Sequence, residues 1–304
     1  MSRRWRAVLA LAAVVISCGR PARPALVPAS LPFATDTSRT EHVRPGVLHH
    51  FIYARTGPWA IHVLDVRLDQ CFRAVAAKGV GSAVGRIKTS EIMMRLERER
   101  QDVLGGVNAD FFSLANGVPA NALVTRGKVL TPPSKQPVFA VDSAGKPHIT
   151  VLEVRGGATF TVDDPALARV SLAPFHPLEA VGGRPRLARD SVIVPEVDTE
   201  GQPGFANSRH PRTAIGIADN GRRLLLVVVD GRQAGYSAGM TLRELAVLML
   251  SLGSRDALNL DGGGSTTMVV EDAATRQLGI VNRPSDPAGE RPVGDALAVV
   301  RGCR

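Results

Sequence analysis

Leu224-Leu225-Leu226-Val227-Val228-Val229 is an unbroken apolar run that stops at Asp230-Gly231-Arg232. Thr241-Leu242-Arg243-Glu244 follows, with Thr and Glu at the spacing of a helix capping box. Leu242, Leu245, Met249 and Leu252 then recur at helical intervals, and Gly253 supplies a stop. Ala257-Leu258-Asn259-Leu260 is a second short apolar run, ending at Asp261-Gly262-Gly263-Gly264-Ser265-Thr266-Thr267. Strand, helix and strand over 224–260 predict a βαβ unit with parallel strands and a right-handed crossover. In a parallel pair both C-terminal strand ends share one sheet edge, where ligands usually bind. Asp230 and Asp261 are each the first residue past such an end, so topology alone brings two carboxylates to one rim.

Working outward, Val47–Tyr53, Trp59–Val66 and Phe72–Ala76 read as strands. Ser90 is the expected N-cap of a helix carrying Ile92 and Leu96 on one face, and Glu97–Arg100 is its solvated end. Val103–Asn108 reads as a strand entering a turn at Asn108-Ala109-Asp110-Phe111-Phe112. Val138–Asp142 starts a hairpin with Ser143-Ala144-Gly145 at its tip, and strand-like alternation continues over 150–171. Segment 195–211, rich in Pro and Gly, is a loop by composition. Strands outnumber helices, and the expected architecture is one α+β domain of mixed β-sheets with packed helices.

The chain opens with Ser2-Arg3-Arg4-Trp5-Arg6, an apolar run Ala7–Ile16 and Ser17-Cys18-Gly19. A basic start and about ten apolar residues make a secretory signal, too short to span a bilayer as a mature helix. Val15-Ile16-Ser17-Cys18 resembles a bacterial lipobox, with Cys18 as the lipidated residue. The alternative is a plain signal cut nearer Ala22 or Ala25. The expected organisation is a leader over 1–17, a tether rich in Pro, Ala, Ser and Thr over 18–45, and a domain over 46–304. Export to a bacterial cell envelope follows, with membrane attachment through the lipid if Cys18 is modified. Cys71 and Cys303 then remain, and two cysteines in an exported chain favour a disulfide over a metal site. Two unpaired thiols are the other reading.

Composition narrows the function. The 304 residues are 44% hydrophobic and 21% charged, enough apolar content for a sizeable core, which excludes disorder as the main state. Aromatics are only 4%, which argues against a base-stacking groove or an aromatic-lined polysaccharide groove. The net charge is +9, but the arginines are interleaved with carboxylates and form no basic runs, so no nucleic-acid partner is expected. The seven histidines form no metal-ligand spacing within a helix.

The chemistry concentrates at a few places. Three consecutive glycines at 262–264 point to positive φ or close backbone approach, and their amides could form an anion nest with Ser265 and Thr266 as further donors. No Lys follows, so this is not a Walker loop, and the spacing is not that of a dinucleotide fingerprint. Asp230-Gly231-Arg232 sets a carboxylate beside a guanidinium, whose rigid fork suits phosphate. Asn108 and Asp110 sit at a strand end. Arg212 and Thr213 open the strand Ala214–Ile217, while Asn282 and Arg283 lie in a turn before Pro284.

Six ordered blocks carry a resemblance: Gly106–Phe112, Gly182–Pro185, Pro211–Gly216, Val229–Arg232, Leu258–Thr266 and Asn282–Pro284. Together, over about residues 100–300, they resemble the phosphodiester glycosidase family, whose bacterial members are often labelled exopolysaccharide biosynthesis proteins. The resemblance implies hydrolysis of a sugar-1-phosphodiester in an envelope or extracellular glycan. Asp261, Asp230 and Asp110 are the implied catalytic carboxyls. Asn108, Arg212, Thr213, Arg232, Gly262, Gly263, Gly264, Ser265, Thr266, Asn282 and Arg283 are the implied substrate contacts. No cofactor is demanded, although a Ca²⁺ or Mg²⁺ ion at the carboxylates is compatible with them. The competing reading is a non-catalytic envelope protein that binds anionic glycopolymer during assembly; a nuclease-like phosphodiesterase breaking P–O is a third.

Overall fold

The computed structural model describes residues 31–79, 84–99, 101–162, 172–201 and 204–302. Its elements begin with β1 (Thr37–Arg44), β2 (Val47–Ala54), β3 (Trp59–Arg67), β4 (Phe72–Lys78), α1 (Thr89–Arg98) and β5 (Asp102–Asn108). Next come β6 (Leu123–Thr125), β7 (Lys128–Thr131), β8 (Pro137–Asp142), β9 (Pro147–Arg155), β10 (Ala158–Val162), β11 (Leu172–Pro174), β12 (Pro177–Gly182), β13 (Arg186–Arg189) and β14 (Val192–Ile193). The chain ends with β15 (Arg212–Ala218), β16 (Arg223–Val229), α2 (Leu242–Ser251), β17 (Asp256–Asn259), β18 (Met268–Glu271), β19 (Leu278–Ile280) and β20 (Asp295–Arg301). They form an eight-stranded sheet β1-β2-β3-β16-β15-β17-β13-β14, a seven-stranded sheet β11-β10-β9-β8-β12-β6-β7, and a five-stranded sheet β19-β18-β5-β20-β4.

Two α-helices against twenty strands overturn the expected helix-packed α+β class: the described residues are predominantly β, and β15, β16, β17 and β3 pair antiparallel throughout. The parallel βαβ pair is corrected as well. β15 lies between β16 and β17 and is antiparallel to both, so those two strands run the same way without touching. A continuous apolar run reports that both strand faces are covered, and does not report the partner's direction. In β16, Leu224, Leu226 and Val228 enter the core shared by the three sheets. Leu225, Val227 and Val229 instead cluster with Leu245 and Met249 of α2. α1 covers the five-stranded sheet in the same manner with Ile92, Met93 and Leu96.

The capping box forms as the sequence predicts. Glu244 N–H donates to Thr241 Oγ1 at 3.1 Å, and Thr241 N–H donates to the Glu244 carboxylate at 2.9 Å. Thr241→Ala should cost about 1 kcal/mol of stability, read from urea denaturation. At α1 the N-cap position is Lys88, not Ser90, and it makes no side-chain cap. Ser90 lies inside the helix, with its hydroxyl donating to Glu290 at 2.5 Å.

Residues 37–44, assigned by composition to the tether, form β1 on the edge of the eight-stranded sheet. Its residues are largely exposed, so no burial alternation marks it in the sequence. Cys71 is disulfide-bonded, and Gly302 N–H donates to its carbonyl at 2.8 Å. Cys303 lies outside the described residues, as do the leader, Cys18 and the first part of the tether.

Candidate active site

The shared direction of β16 and β17 delivers Asp230 and Asp261 to one end of the eight-stranded sheet, and β15, running the other way, starts there with Arg212. At that end a cavity of about 200 Å³ opens between Phe205, His210, Pro211, Arg212, Arg232, Asp261, Gly262–Gly264 and Arg291.

Asp261 supplies the carboxyl of this cavity. Its amide is fixed by the Ala109 carbonyl at 2.8 Å, and its Oδ1 accepts from Gly262 N–H at 2.9 Å. Burial pushes its pKa up to about 6; the nearby Ser265 hydroxyl, the Gly262 amide and Arg291 oppose that rise. Gly262 is required by crowding: a Cβ there would stand 2.6 Å from the Pro211 carbonyl oxygen. Gly264 packs flat beneath the Arg291 guanidinium, where a Cβ would collide with it.

Two further cations line the same cavity. Arg212 is buried, and its guanidinium donates to the carbonyls of Met240 (2.9 Å), Phe205 (2.6 Å) and Ser208 (3.1 Å). It ion-pairs with no carboxylate among the described residues, and burial followed by repulsion from Arg232 lowers its pKa to about 10. Arg232 is exposed, carries the unusual φ of 59°, and donates to His210 Nδ1 at 3.2 Å. Left-handed backbone at a non-Gly residue costs of order 1 kcal/mol and persists where surrounding structure imposes it. Burial and the two guanidiniums lower the His210 pKa. A buried guanidinium without a carboxylate, beside a second one, is a site prepared for an anion.

The other sequence candidates stand behind the cavity wall. Asp230 is buried, and its carboxylate accepts from Asn282 Nδ2 (2.9 Å), Arg283 N–H (3.0 and 3.1 Å) and Tyr236 Oη (3.4 Å). Burial raises its pKa to about 6 against those bonds. Asn282 also donates to the Thr266 carbonyl, so it joins the ends of the β16 and β17 loops. The Arg283 side chain lies over the Tyr236 ring at 4.0 Å, outside the cavity lining. Asn108 donates to the Asp261 carbonyl at 2.6 Å and accepts from Thr213 Oγ1 at 2.8 Å, making both internal braces. Asp110 accepts from Asn121 N–H at 2.7 Å; burial and then Asp295 hold its carboxyl well above the ordinary range. The Thr266 hydroxyl is buried with no hydrogen-bond partner.

Four of the amides expected to form an anion nest in the glycine turn are already engaged. The amides of Gly262, Gly263, Ser265 and Thr266 are bonded to Asp261, Pro211, Gly262 and Gly263, so guanidiniums carry the positive field instead. Phe205, His210, Arg291 and Asp295 are not among the site residues that the sequence singles out. Arg291 and Asp295 stand in one short block, Arg291-Pro292-Val293-Gly294-Asp295, whose charged ends were the available signal. Asp295 is fully buried, with its Oδ1 accepting from Asp110 N–H at 2.9 Å and its pKa raised to about 7 by burial. Among the described residues no group of three or more His, Cys, Asp or Glu is placed to hold a metal ion. The guanidiniums around Asp261 would also repel a divalent cation.

Comparison with known proteins places this arrangement. The curated relative YomE, an SPbeta prophage-derived protein of Bacillus subtilis (strain 168), is 40% identical over 93 residues, 31% of this chain and 13% of that protein. A Synechocystis protein superposes with a TM-score of 0.62 at 15% identity, over 87% of this chain and 64% of that one. A Burkholderia pseudomallei K96243 protein whose name classes it as exported superposes with a TM-score of 0.56 at 22% identity, over 80% and 74%. The catalytic domain of zebrafish N-acetylglucosamine-1-phosphodiester alpha-N-acetylglucosaminidase, auto-inhibited by its pro-peptide, gives 0.59 at 18% identity, over 89% and 88%. This chain thus spans a small part of YomE and about two thirds of the Synechocystis protein. A family model for phosphodiester glycosidases matches residues 101–300, the stretch that carries every residue of the cavity, and the chain belongs to that family.

Proposed function

We propose that the chain hydrolyses a sugar-1-phosphodiester, releasing the sugar and leaving a phosphomonoester. The observation that carries this reading is that Asp261, Arg212 and Arg232 line one small cavity. The two guanidiniums bind the phosphate and stabilise the charge that builds on it as the bond breaks. A phosphomonoester has its second pKa near about 6, so it departs with little protonation, and a second carboxyl in the cavity is not needed as a strong acid. Asp261 then works in its ionised form, as nucleophile at the anomeric carbon or as base towards water. Asp230, Asn108, Asn282 and Thr213 hold the walls.

The pH dependence follows from the Asp261 pKa of about 6. The working form is the carboxylate, so kcat/KM should rise with pH and reach half its plateau near 6, losing about tenfold per unit below that. A profile flat from pH 4 to 8 would remove Asp261 from the mechanism. EDTA should leave turnover unchanged; loss restored by Ca²⁺ or Mg²⁺ would show an ion that this reading lacks. Hydrolysis in heavy-oxygen water should label the sugar, while label in the phosphate would mean P–O cleavage. Export to the cell envelope and attachment through Cys18 belong to the same proposal, supported by the leader-like start of the chain. Mass spectrometry of the membrane fraction from an expressing bacterium tests both.

A further inference from the structure

The catalytic cavity has room for the phosphate and one attached sugar, and a second, larger hollow lies beside it. This groove of about 610 Å³ is bordered by Pro137, Val151, Pro185 and Ile193 on its apolar floor, with Lys135, Arg189, Glu196 and Glu200 among its charged borders. It is about three times the volume of the catalytic cavity.

Named contacts join the two. Pro185 accepts from Asn259 N–H at 3.1 Å, and the Arg184 carbonyl accepts from Asn259 Nδ2 at 2.7 Å, two residues before Asp261. The Arg184 guanidinium stands 3.8 Å from Glu200 of the groove and lies over the Phe111 ring at 5.1 Å. Phe111 in turn meets Phe205, which lines the catalytic cavity, edge-on at 6.0 Å. The groove and the cavity are therefore neighbours across a ridge of one arginine and two phenylalanines.

We infer that this groove is a binding site for the saccharide on the far side of the phosphate, an inference that rests on the phosphodiester reading of the cavity. The lining chooses among ligand classes. A lipid tail would desolvate Glu196, Glu200 and Lys135 without offering them hydrogen bonds. A polyanion would meet two carboxylates. Sugar units present apolar C–H faces to a floor of proline and aliphatic side chains, and hydroxyl edges that donate to carboxylates and accept from Lys and Arg. The ligand is thus a neutral oligosaccharide segment, and the ridge Arg184–Phe111–Phe205 is where it turns towards the phosphate.

The test compares two phosphodiesters of the same sugar, one with a methyl group and one with a trisaccharide beyond the phosphate. Ile193→Trp fills the groove from a half-buried edge position, and Glu196→Lys reverses an exposed rim charge; neither residue lines the catalytic cavity. Both variants should lower kcat/KM for the trisaccharide substrate about tenfold and leave the methyl substrate within about twofold. Equal losses on both substrates, or no loss on either, would overturn the proposal. Calorimetric titration of the wild type and both variants with the free trisaccharide separates this inference from the catalytic one. Binding that the variants lose, without any turnover, would sink the hydrolase and keep the groove. A polyprenyl group in place of the trisaccharide, if it raises kcat/KM instead, overturns the saccharide assignment.

Discussion

Asp261→Asn is expected to lower kcat/KM on a glycosyl phosphodiester by at least about 10³-fold while the fold melts at a higher temperature at neutral pH. The first half follows from position: Asp261 supplies the carboxyl of the cavity that also holds Arg212 and Arg232. Loss of a nucleophile or base commonly removes 10⁴-fold or more, and residual rate comes from charge stabilisation and binding. The second half follows from burial. The folded carboxyl titrates at about 6 against an ordinary 3.8, so between those values the folded chain keeps a proton that the unfolded chain has released. The stabilisation is therefore complete below about 4 and is lost as pH rises through 6. An amide carries no such penalty, so Asp261→Asn should gain of order 1 kcal/mol at pH 7 and nothing at pH 4.

Asp230→Asn gives the contrast. The Asp230 carboxylate receives the Asn282 side chain, the Arg283 amide and the Tyr236 hydroxyl, all donors, and an amide NH₂ would confront one of them. A buried donor left without an acceptor costs about 1–3 kcal/mol, so this variant should lose stability, and activity only in proportion to its loosened walls. Calorimetric melting at pH 4 and 7, together with turnover of both variants, reads the difference. Asp230→Asn inactive at full stability, with Asp261→Asn active, would exchange the two roles.

The turn after β17 is legible because three glycines in a row have few uses, and the strand–helix–strand spacing is enough to place Asp230 and Asp261 at one end. The same spacing misled on pairing: apolar runs at β16 and β17 say that both faces are covered, and β15, inserted between them, comes from earlier in the chain. β1 is not legible in the sequence because an exposed edge strand has no burial pattern to display. The cavity itself was only half legible. Asp110, Asn108, Thr213 and Asn282 sit in motif blocks, yet their side chains brace backbone and one another, and spacing does not distinguish a brace from a contact. Arg291 enters because Gly264 lets its guanidinium lie flat, a relation that exists only in three dimensions.

The arginine pair yields the other large effect. Arg212→Lys should reduce kcat/KM by about 10²–10³-fold, and Arg232→Ala by about tenfold. The difference lies in solvent. Arg212 is 2% exposed and Arg232 is exposed, so the first interacts with a bound phosphate in low dielectric while the second is screened by water. Lysine preserves the charge of Arg212 but not the fork, whose other nitrogens hold the Met240, Phe205 and Ser208 carbonyls. One ammonium cannot serve those carbonyls and the phosphate together. A purely structural role for Arg212 would lower stability and leave inhibition by inorganic phosphate unchanged in whatever folded protein remains. A role in holding the anion instead predicts that phosphate inhibition weakens in both variants, more steeply in Arg212→Lys, and that added salt weakens it further where Arg232 still acts. Equal phosphate inhibition constants in wild type and Arg212→Lys would show that the anion sits elsewhere, and the shared cavity of Asp261 and the two guanidiniums would then lose its chemical meaning.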